Sequence, residues 1–271
     1  MTKALVVGGT SGIGKGIALA LAHRGDVAVT IAGRSQERGD EIVKELQSIC
    51  PSQEHSFQQV DAFDLKSVKK LSAIDANLLV MTQGMGSLQG YTPTVDGIDQ
   101  KLQLHYFSRI YLAKLMAPKL SPPAKVLTVL SAGVHGKYKG YKEDFDLVQT
   151  YSQMNAANAA GFYTDAGFES LARQYPSIIF AHAAPGFVNT NWGSEMPIVL
   201  KGILRLMQPF ARSLEKCGQV LTTGWMELEP KDGKNFFLLD QNGNIIHDGL
   251  KHNEEEREVI WAKTLELLPV D

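Results

Sequence analysis

The 271-residue chain holds only two cysteines, Cys50 and Cys217. They lie far apart and in no metal-ligand spacing, which excludes a cysteine-built metal site. Reduced, buried thiols in an intracellular protein are the expectation. An excess of one charge is also lacking, since 27 Lys plus Arg stand against 29 Asp plus Glu for a formal net charge of −2. That balance gives no reason to expect nucleic acid as a partner. No apolar run approaches the roughly 20 residues of a bilayer span. The chain enters an apolar run at Ala4, with no room for a signal peptide. Internal repeats, low-complexity tracts and linkers are missing too, so a single domain over residues 1–271 is expected. What is present is 44% hydrophobic residues, ordinary for a chain with a real core. These bounds lead us to expect a soluble, cytoplasmic chain with no stable membrane insertion.

The most informative stretch is Val6-Val7-Gly8-Gly9-Thr10-Ser11-Gly12-Ile13-Gly14-Lys15-Gly16. It joins the apolar run 4–7 to a segment of helical periodicity, 17–22, that stops at Gly25. A strand feeding a helix through a glycine-rich turn lets main-chain N–H groups and the positive helix end hold a pyrophosphate. Glycine is needed where a Cβ would block the phosphates or the strand behind. Gly8, Gly12 and Gly14 fill that role, with Thr10, Ser11 and Ile13 completing the turn. A second strand, 27–32, ends at Ala32-Gly33-Arg34-Ser35. A carboxylate at this point binds the ribose 2′-OH of NAD, whereas an arginine accommodates the 2′-phosphate of NADP. Arg34 can fork two N–H groups at that phosphate and Ser35 can add a hydroxyl. NADP(H) is therefore expected ahead of NAD(H), against the bland alternative of a solvated arginine opening the next helix.

Apolar strands at 56–60, 77–81, 126–130, 178–184 and 236–239 alternate with helical segments at 37–49, 65–71, within 97–120, from 151 to about 174, and at 254–268. Such βα alternation predicts an α/β fold, a doubly wound parallel sheet of about seven strands between two layers of helices. Strand tips at Gly8, Gly84, Ser131 and Pro185 then converge on one edge, with Asp61 just after the third strand. Residues 135–142 interleave histidine, lysines and tyrosines; an exposed loop beside the site is preferred over a nucleic-acid surface. Residues 197–212 are apolar with Lys201, Arg205 and Arg212 and no acid. They are read as part of a substrate lid near 192–212, the alternative being a helix lying on a membrane.

At Gly12-Ile13-Gly14 the chain resembles the short-chain dehydrogenase/reductase family, whose opening motif is TGxxxGIG, with Val7 in place of the threonine. The resemblance implies a Rossmann-type seven-stranded sheet in three layers and extends over nearly the whole chain. It places Asp61 at the adenine amine, a plain loop aspartate being the alternative. Relatives read NNAG after the fourth strand; here Met81-Thr82-Gln83-Gly84 stands, and Gln83 and Gly84 take the cofactor-side positions. His105 falls where relatives carry an asparagine that bends the helix and holds a water. Pro185-Gly186-Phe187-Val188-Asn189-Thr190 matches PGxVxT, which implies backbone contact to the nicotinamide carboxamide at Val188 and pyrophosphate contact at Thr190. The helices starting near Gly97 and Tyr151 are where relatives form homo-oligomers.

The family's catalytic residues map onto Ser131 and Tyr151, in a separation longer than usual and closest to the retinol-dehydrogenase-like branch. The lysine expected four residues after the tyrosine, on the same helical face, is Asn155. In that mapping Ser131 holds a substrate oxygen and Tyr151 protonates it as hydride arrives from NADPH. Without the lysine, reduction is favoured over oxidation, because tyrosine with its ordinary pKa near ~10 already carries the proton it must give. His105 is the candidate to replace the lysine's charge or relay. A rival reading is a triad-deficient member of a biosynthetic pathway, reducing imines or doing non-standard chemistry. In that variant Asp165 is a candidate, with a salt-bridge role preferred. A third reading is an NADP-binding protein without turnover.

Overall fold

The computed structural model describes residues 1–189 and 211–270. Seven strands carry the molecule: β1 (Thr2–Val7), β2 (Val27–Gly33), β3 (Ser56–Gln59), β4 (Leu78–Met81), β5 (Lys125–Val129), β6 (Ile179–Ala183) and β7 (Phe236–Leu239). All pair in parallel in the order β3-β2-β1-β4-β5-β6-β7. The order reverses between β1 and β4, the switch point where open α/β sheets bind ligands at their carboxyl edge. The register sets that edge: Val7 lies beside Met81, Met81 beside Thr128, and Thr128 beside His182.

The strands' period of two explains the layers. Leu5 and Val7 point to one face, where they join Leu79, Met81 and Val126 in a core with Tyr106, Ile110, Phe162 and Phe168. Ala4 and Val6 point to the other, with Val80, Leu127, Ile17, Leu21 and Trp225. The second face is covered by α1 (Gly12–Ala22), α2 (Gln36–Ile49) and α7 (Leu214–Met226). The first is covered by α3 (Leu65–Lys70), α4 (Gln100–Leu102), α5 (Ser108–Met116), α6 (Gln153–Gln174) and α8 (Glu254–Leu267). Both cysteines are free and buried.

The single long helix expected within 97–120 is composite. A short α4 (Gln100–Leu102) passes through a π-helical stretch, Gln103–Phe107, into α5 (Ser108–Met116). π-turns recur at functional sites, and this one carries His105. The loop 135–142 also differs from expectation. Its lysines are exposed, but His135, Tyr138 and Tyr141 are buried. Tyr138 and Tyr141 pack edge-on against Tyr163 and Phe162 of α6, so the aromatics belong to the core. The lid near 192–212 lies outside the described residues except for Ala211 and Arg212.

Candidate active site

The turn after β1 is shaped by main chain. Gly8 has φ +83° and Gly12 φ +57°, both left-handed. A Cβ on Gly14 would fall 2.3 Å from the Gly8 carbonyl oxygen and 2.4 Å from Thr82 Oγ1, so no other residue fits there. Ser11 stands at the N-cap of α1 without a side-chain cap bond, and no acid occupies the first turn. The first-turn N–H groups therefore remain available for an anion. Ile13 packs on the core beneath, and Thr10 fills the space that a side chain at Gly33 would take. Such a cradle, with no Cβ and an uncapped helix start, fits a dinucleotide pyrophosphate.

At the tip of β2, Arg34 is exposed, lies 5.4 Å from the Phe63 ring centre, and makes no ion pair among the described residues. Gln59 Nε2 donates to its carbonyl at 2.9 Å. Ser35 caps α2, its Oγ accepting from Arg38 N at 3.3 Å, which leaves the hydroxyl proton to donate outward. Asp61 is exposed and spends one oxygen on Phe63 N at 3.0 Å. Across the edge, Gly186 (φ +70°) turns the chain after Pro185, and Val188 bridges to Arg212. Thr190 lies outside the described residues.

The tip of β4 is braced from within. Thr82 Oγ1 donates to Val7 O at 3.1 Å, tying β4 to β1. Gln83 is buried; its Nε2 donates to Ser108 Oγ at 3.2 Å while its Oε1 has no partner. Arg109, 1% exposed, donates to the Gln83 carbonyl, to Thr128 Oγ1 at 2.9 Å and to Val129 O at 2.8 Å. Burial pulls its pKa down to about 9, which still leaves a cation at neutral pH. Sequence reading missed this arginine. Its signal was the spacing Lys101, His105, Arg109, three basic residues four apart on one helix face.

His105 does not supply the lysine's charge. Its Nε2 accepts from Met85 N at 3.1 Å, which puts the proton of a neutral ring on Nδ1. Burial, with Arg109 and Lys101 on either side, pushes its pKa down to about 3. The imidazole is neutral and seats the loop after β4.

A lysine does reach Tyr151, from another helix. Lys101 Nζ donates to Tyr151 Oη at 2.6 Å, to Gln89 O at 2.7 Å and to Gln153 Oε1 at 2.7 Å. All three ammonium protons are used, and Tyr151 in turn donates to Gln89 O at 3.3 Å. Burial, then the charge of Asp99, raises the Tyr151 pKa to about 12, so the phenol keeps its proton. Asn155 works locally: its N–H caps onto Ser152 Oγ at 3.0 Å and its Nδ2 donates to Thr150 O at 2.7 Å.

The structure does not bring Tyr151 and Ser131 together, a correction to the mapping by order and spacing. The α6 residue that faces Ser131 is Gly161, where a Cβ would land 2.6 Å from Ser131 Oγ. Tyr151 precedes the helix, whose first residue, Gln153, lies about 12 Å further along the axis. The α6 position that meets the serine, Gly161, therefore carries neither a hydroxyl nor an ammonium.

Ser131 is instead joined to three buried ionisable groups. Its N–H donates to His182 Nε2 at 3.0 Å, and its carbonyl accepts from His135 Nδ1 at 2.9 Å. His182 Nδ1 lies 2.6 Å from Asp165 Oδ1 and His135 Nε2 lies 3.3 Å from Asp165 Oδ2. Burial would raise the Asp165 carboxyl, but the two histidines, His135 in contact at 3.3 Å and His182 in a hydrogen bond, outweigh it and hold its pKa low. Burial would lower His135; the bond and charge of Asp165 reverse that, and its pKa is raised. His182 is lowered by burial despite Asp165. Ser131 Oγ is buried without a hydrogen-bond partner. Asp165 thus takes the salt-bridge role preferred for it. The described residues hold no group of three or more side chains suited to a metal ion.

The family model for short chain dehydrogenase matches residues 2–197, and the chain belongs to that family of nicotinamide-dependent oxidoreductases. Among its relatives, Oxidoreductase AN1596 of Emericella nidulans is 33% identical over 236 residues, 80% of this chain and 69% of that protein. Human Retinol dehydrogenase 11 is 30% identical over 138 residues, 48% of this chain and 43% of that protein. The solved short-chain dehydrogenase from Sphingobium yanoikuyae in complex with NADPH shares the fold with a TM-score of 0.64 at 19% identity, covering 88% of this chain and 87% of that one. Among the described residues no helix is long and apolar enough to cross a membrane.

Proposed function

We propose that the protein is an NADP(H)-dependent reductase of a carbonyl group on a small apolar substrate, with Ser131 receiving the reacting oxygen. The observation that carries the cofactor choice is Arg34, a guanidinium with no ion pair among the described residues, at the end of β2 where NAD-binding chains place a carboxylate.

Bound there, the cofactor supplies hydride. The turn from Gly8 to Gly14 and the start of α1 take the pyrophosphate, Arg34 and Ser35 the 2′-phosphate, and Asp61 the adenine amine. Gln83 and Gly84 border the nicotinamide end from β4, Pro185, Gly186 and Val188 border it from the segment after β6, and Thr190 is assigned to the pyrophosphate by the family motif. Ser131 Oγ donates a hydrogen bond to the substrate oxygen as negative charge develops on it, and the alkoxide formed by hydride addition takes its proton from solvent water. Tyr151, still protonated and tied to Lys101, fixes the loop carrying Gln89 against the start of α6, with Asn155 bracing that start. His105, neutral, positions Met85.

A second reading is favoured by Gly161, the α6 residue that meets Ser131, which offers the reacting atoms no proton donor. An iminium carbon accepts hydride and yields a neutral amine with no proton donor at all, so this site suffices for it.

Following nicotinamide absorbance with NADPH and NADH against aldehydes, ketones and imines tests both. Expected is turnover with NADPH, with Arg34→Ala raising its KM by roughly 10- to 100-fold and leaving NADH unaffected. Ketone turnover that disappears in Ser131→Ala supports the carbonyl reading. Imine turnover that survives this change supports the second. A silent panel beside tight NADPH binding overturns both and leaves a nucleotide-binding protein without turnover.

A further inference from the structure

We propose that His135, Asp165 and His182 form a clamp that grips both main-chain polar groups of Ser131 and fixes its hydroxyl for the reacting heteroatom. The inference rests on the role given to Ser131 above, and the three are positioning residues.

The protonation pattern follows from geometry before any titration. A main-chain N–H can only donate, so His182 Nε2 must be the acceptor and its proton sits on Nδ1, aimed at Asp165 Oδ1 2.6 Å away. A carbonyl can only accept, so His135 Nδ1 carries a proton toward Ser131 O. Its Nε2 lies 3.3 Å from Asp165 Oδ2, where two lone pairs would repel, so one proton belongs between them. We place that proton on the ring, which makes His135 an imidazolium, Asp165 a carboxylate and His182 a neutral ring. The raised His135 and lowered Asp165 agree.

The clamp spans three elements: the loop after β5, helix α6 and strand β6. His182 sits in register with Thr128, three residues before Ser131 on the neighbouring strand. Asp165 lies one turn after Gly161 on α6. Glycine at 161 is what admits it, since a Cβ would come within 2.5 Å of the His135 ring as well as 2.6 Å of Ser131 Oγ. The titratable and charged groups facing His135 are Asp165 from α6, His182 from β6 and Lys251 from the segment before α8; Arg109 faces His182 from α5.

Two consequences favour chemistry at Ser131. With both main-chain groups bonded, the strand tip cannot turn, and the hydroxyl is the one polar group of Ser131 without a partner in the protein. A buried hydroxyl of this kind gains by accepting a ligand atom. The imidazolium behind the tip further favours negative charge arriving at that oxygen.

The test has two arms on the full-length protein. Long-range proton–nitrogen NMR should find His182 as the neutral Nδ1–H tautomer and His135 still an imidazolium above the ordinary midpoint of about 6.5. An Nε2–H tautomer at His182, or ordinary titration at His135, overturns the clamp. In turnover of whichever panel compound is reduced, Asp165→Asn should lower kcat roughly 10- to 100-fold with the KM for NADPH unchanged and the alkaline limb of the pH profile displaced. Should that variant fail to fold, His135→Gln keeps a donor toward the Ser131 carbonyl without the charge and should lower kcat about 10-fold. Wild-type kcat in His135→Gln overturns the proposal. A silent panel counts against the reductase reading alone, because the tautomer arm still decides the clamp.

Discussion

At the tips of β1 and β2 the side chains are small or exposed and bond little to one another: Ser11 caps nothing, and Arg34 rests on a phenyl ring. At the tips of β4, β5 and β6 the opposite holds. Arg109, His135, Asp165 and His182 are buried, charged or polar, and bonded into the strands they border. The first region keeps the family's motif except at Val7; the second keeps the serine and the PGxVxT run but departs from the pattern at Thr82, Gln83, His105 and Asn155. A pyrophosphate is bound by backbone, so any sequence that binds one must keep the same gaps. Bracing strand tips and orienting a serine need only donors and acceptors in the right places, and many side-chain sets provide them.

The largest effect expected from this contrast belongs to Arg109. Arg109→Met keeps the volume but strands three acceptors, Gln83 O, Thr128 Oγ1 and Val129 O. Unfolding free energy should fall by about 3–5 kcal/mol. Denaturant melts would show it, and a midpoint within error of wild type would mean the β4 and β5 tips are braced by something else. Next comes the glycine turn. Gly14→Ala should weaken NADPH binding at least roughly 100-fold, because backbone cannot yield as a side chain can. Calorimetric titration reads this directly, and an unchanged Kd breaks the first half of the comparison.

The same contrast explains what the sequence disclosed. The strand order, the two helix layers and the phosphate turn follow from periodicity and from glycines whose spacing has a steric cause. The α6 register did not follow. Tyr151 and Asn155 have the family's spacing, but the run from Ala156 to Ala160 gives a helix no apolar stripe by which to fix its phase. His135 and His182 are 47 residues apart in a loop and a strand, and Asp165 sits between them in sequence. Only the sheet register brings them together. Lys101 was legible as a basic residue on an apolar face, yet its partner comes from 50 positions away.

The clamp also gives stability a pH dependence of defined sign. Asp165, lowered in the fold, contributes above its ordinary value of 3.8, and the contribution is lost as pH falls through the lower folded value. His135, raised, contributes fully below 6.5 and loses this as pH rises through its folded value. His182, lowered, opposes folding increasingly below 6.5. The thermal midpoint should therefore be highest near neutral pH and fall on both sides, and Asp165→Asn should flatten that profile. A wild-type curve already flat from acid to alkaline pH would remove the charge from the clamp.

The smallest expected effect discriminates most. If Tyr151 only seats a loop, Tyr151→Phe removes one acceptor of Lys101 while Gln89 and Gln153 remain, and kcat should change by less than about 3-fold. The phenol's pKa of about 12 makes it a poor acid for an oxygen it does not touch. A loss of 100-fold or more would invert the picture. It would mean that the phenol reaches the reacting atoms during turnover, and that the cation beside it, supplied by Lys101 from the opposite helix, does what Asn155 cannot.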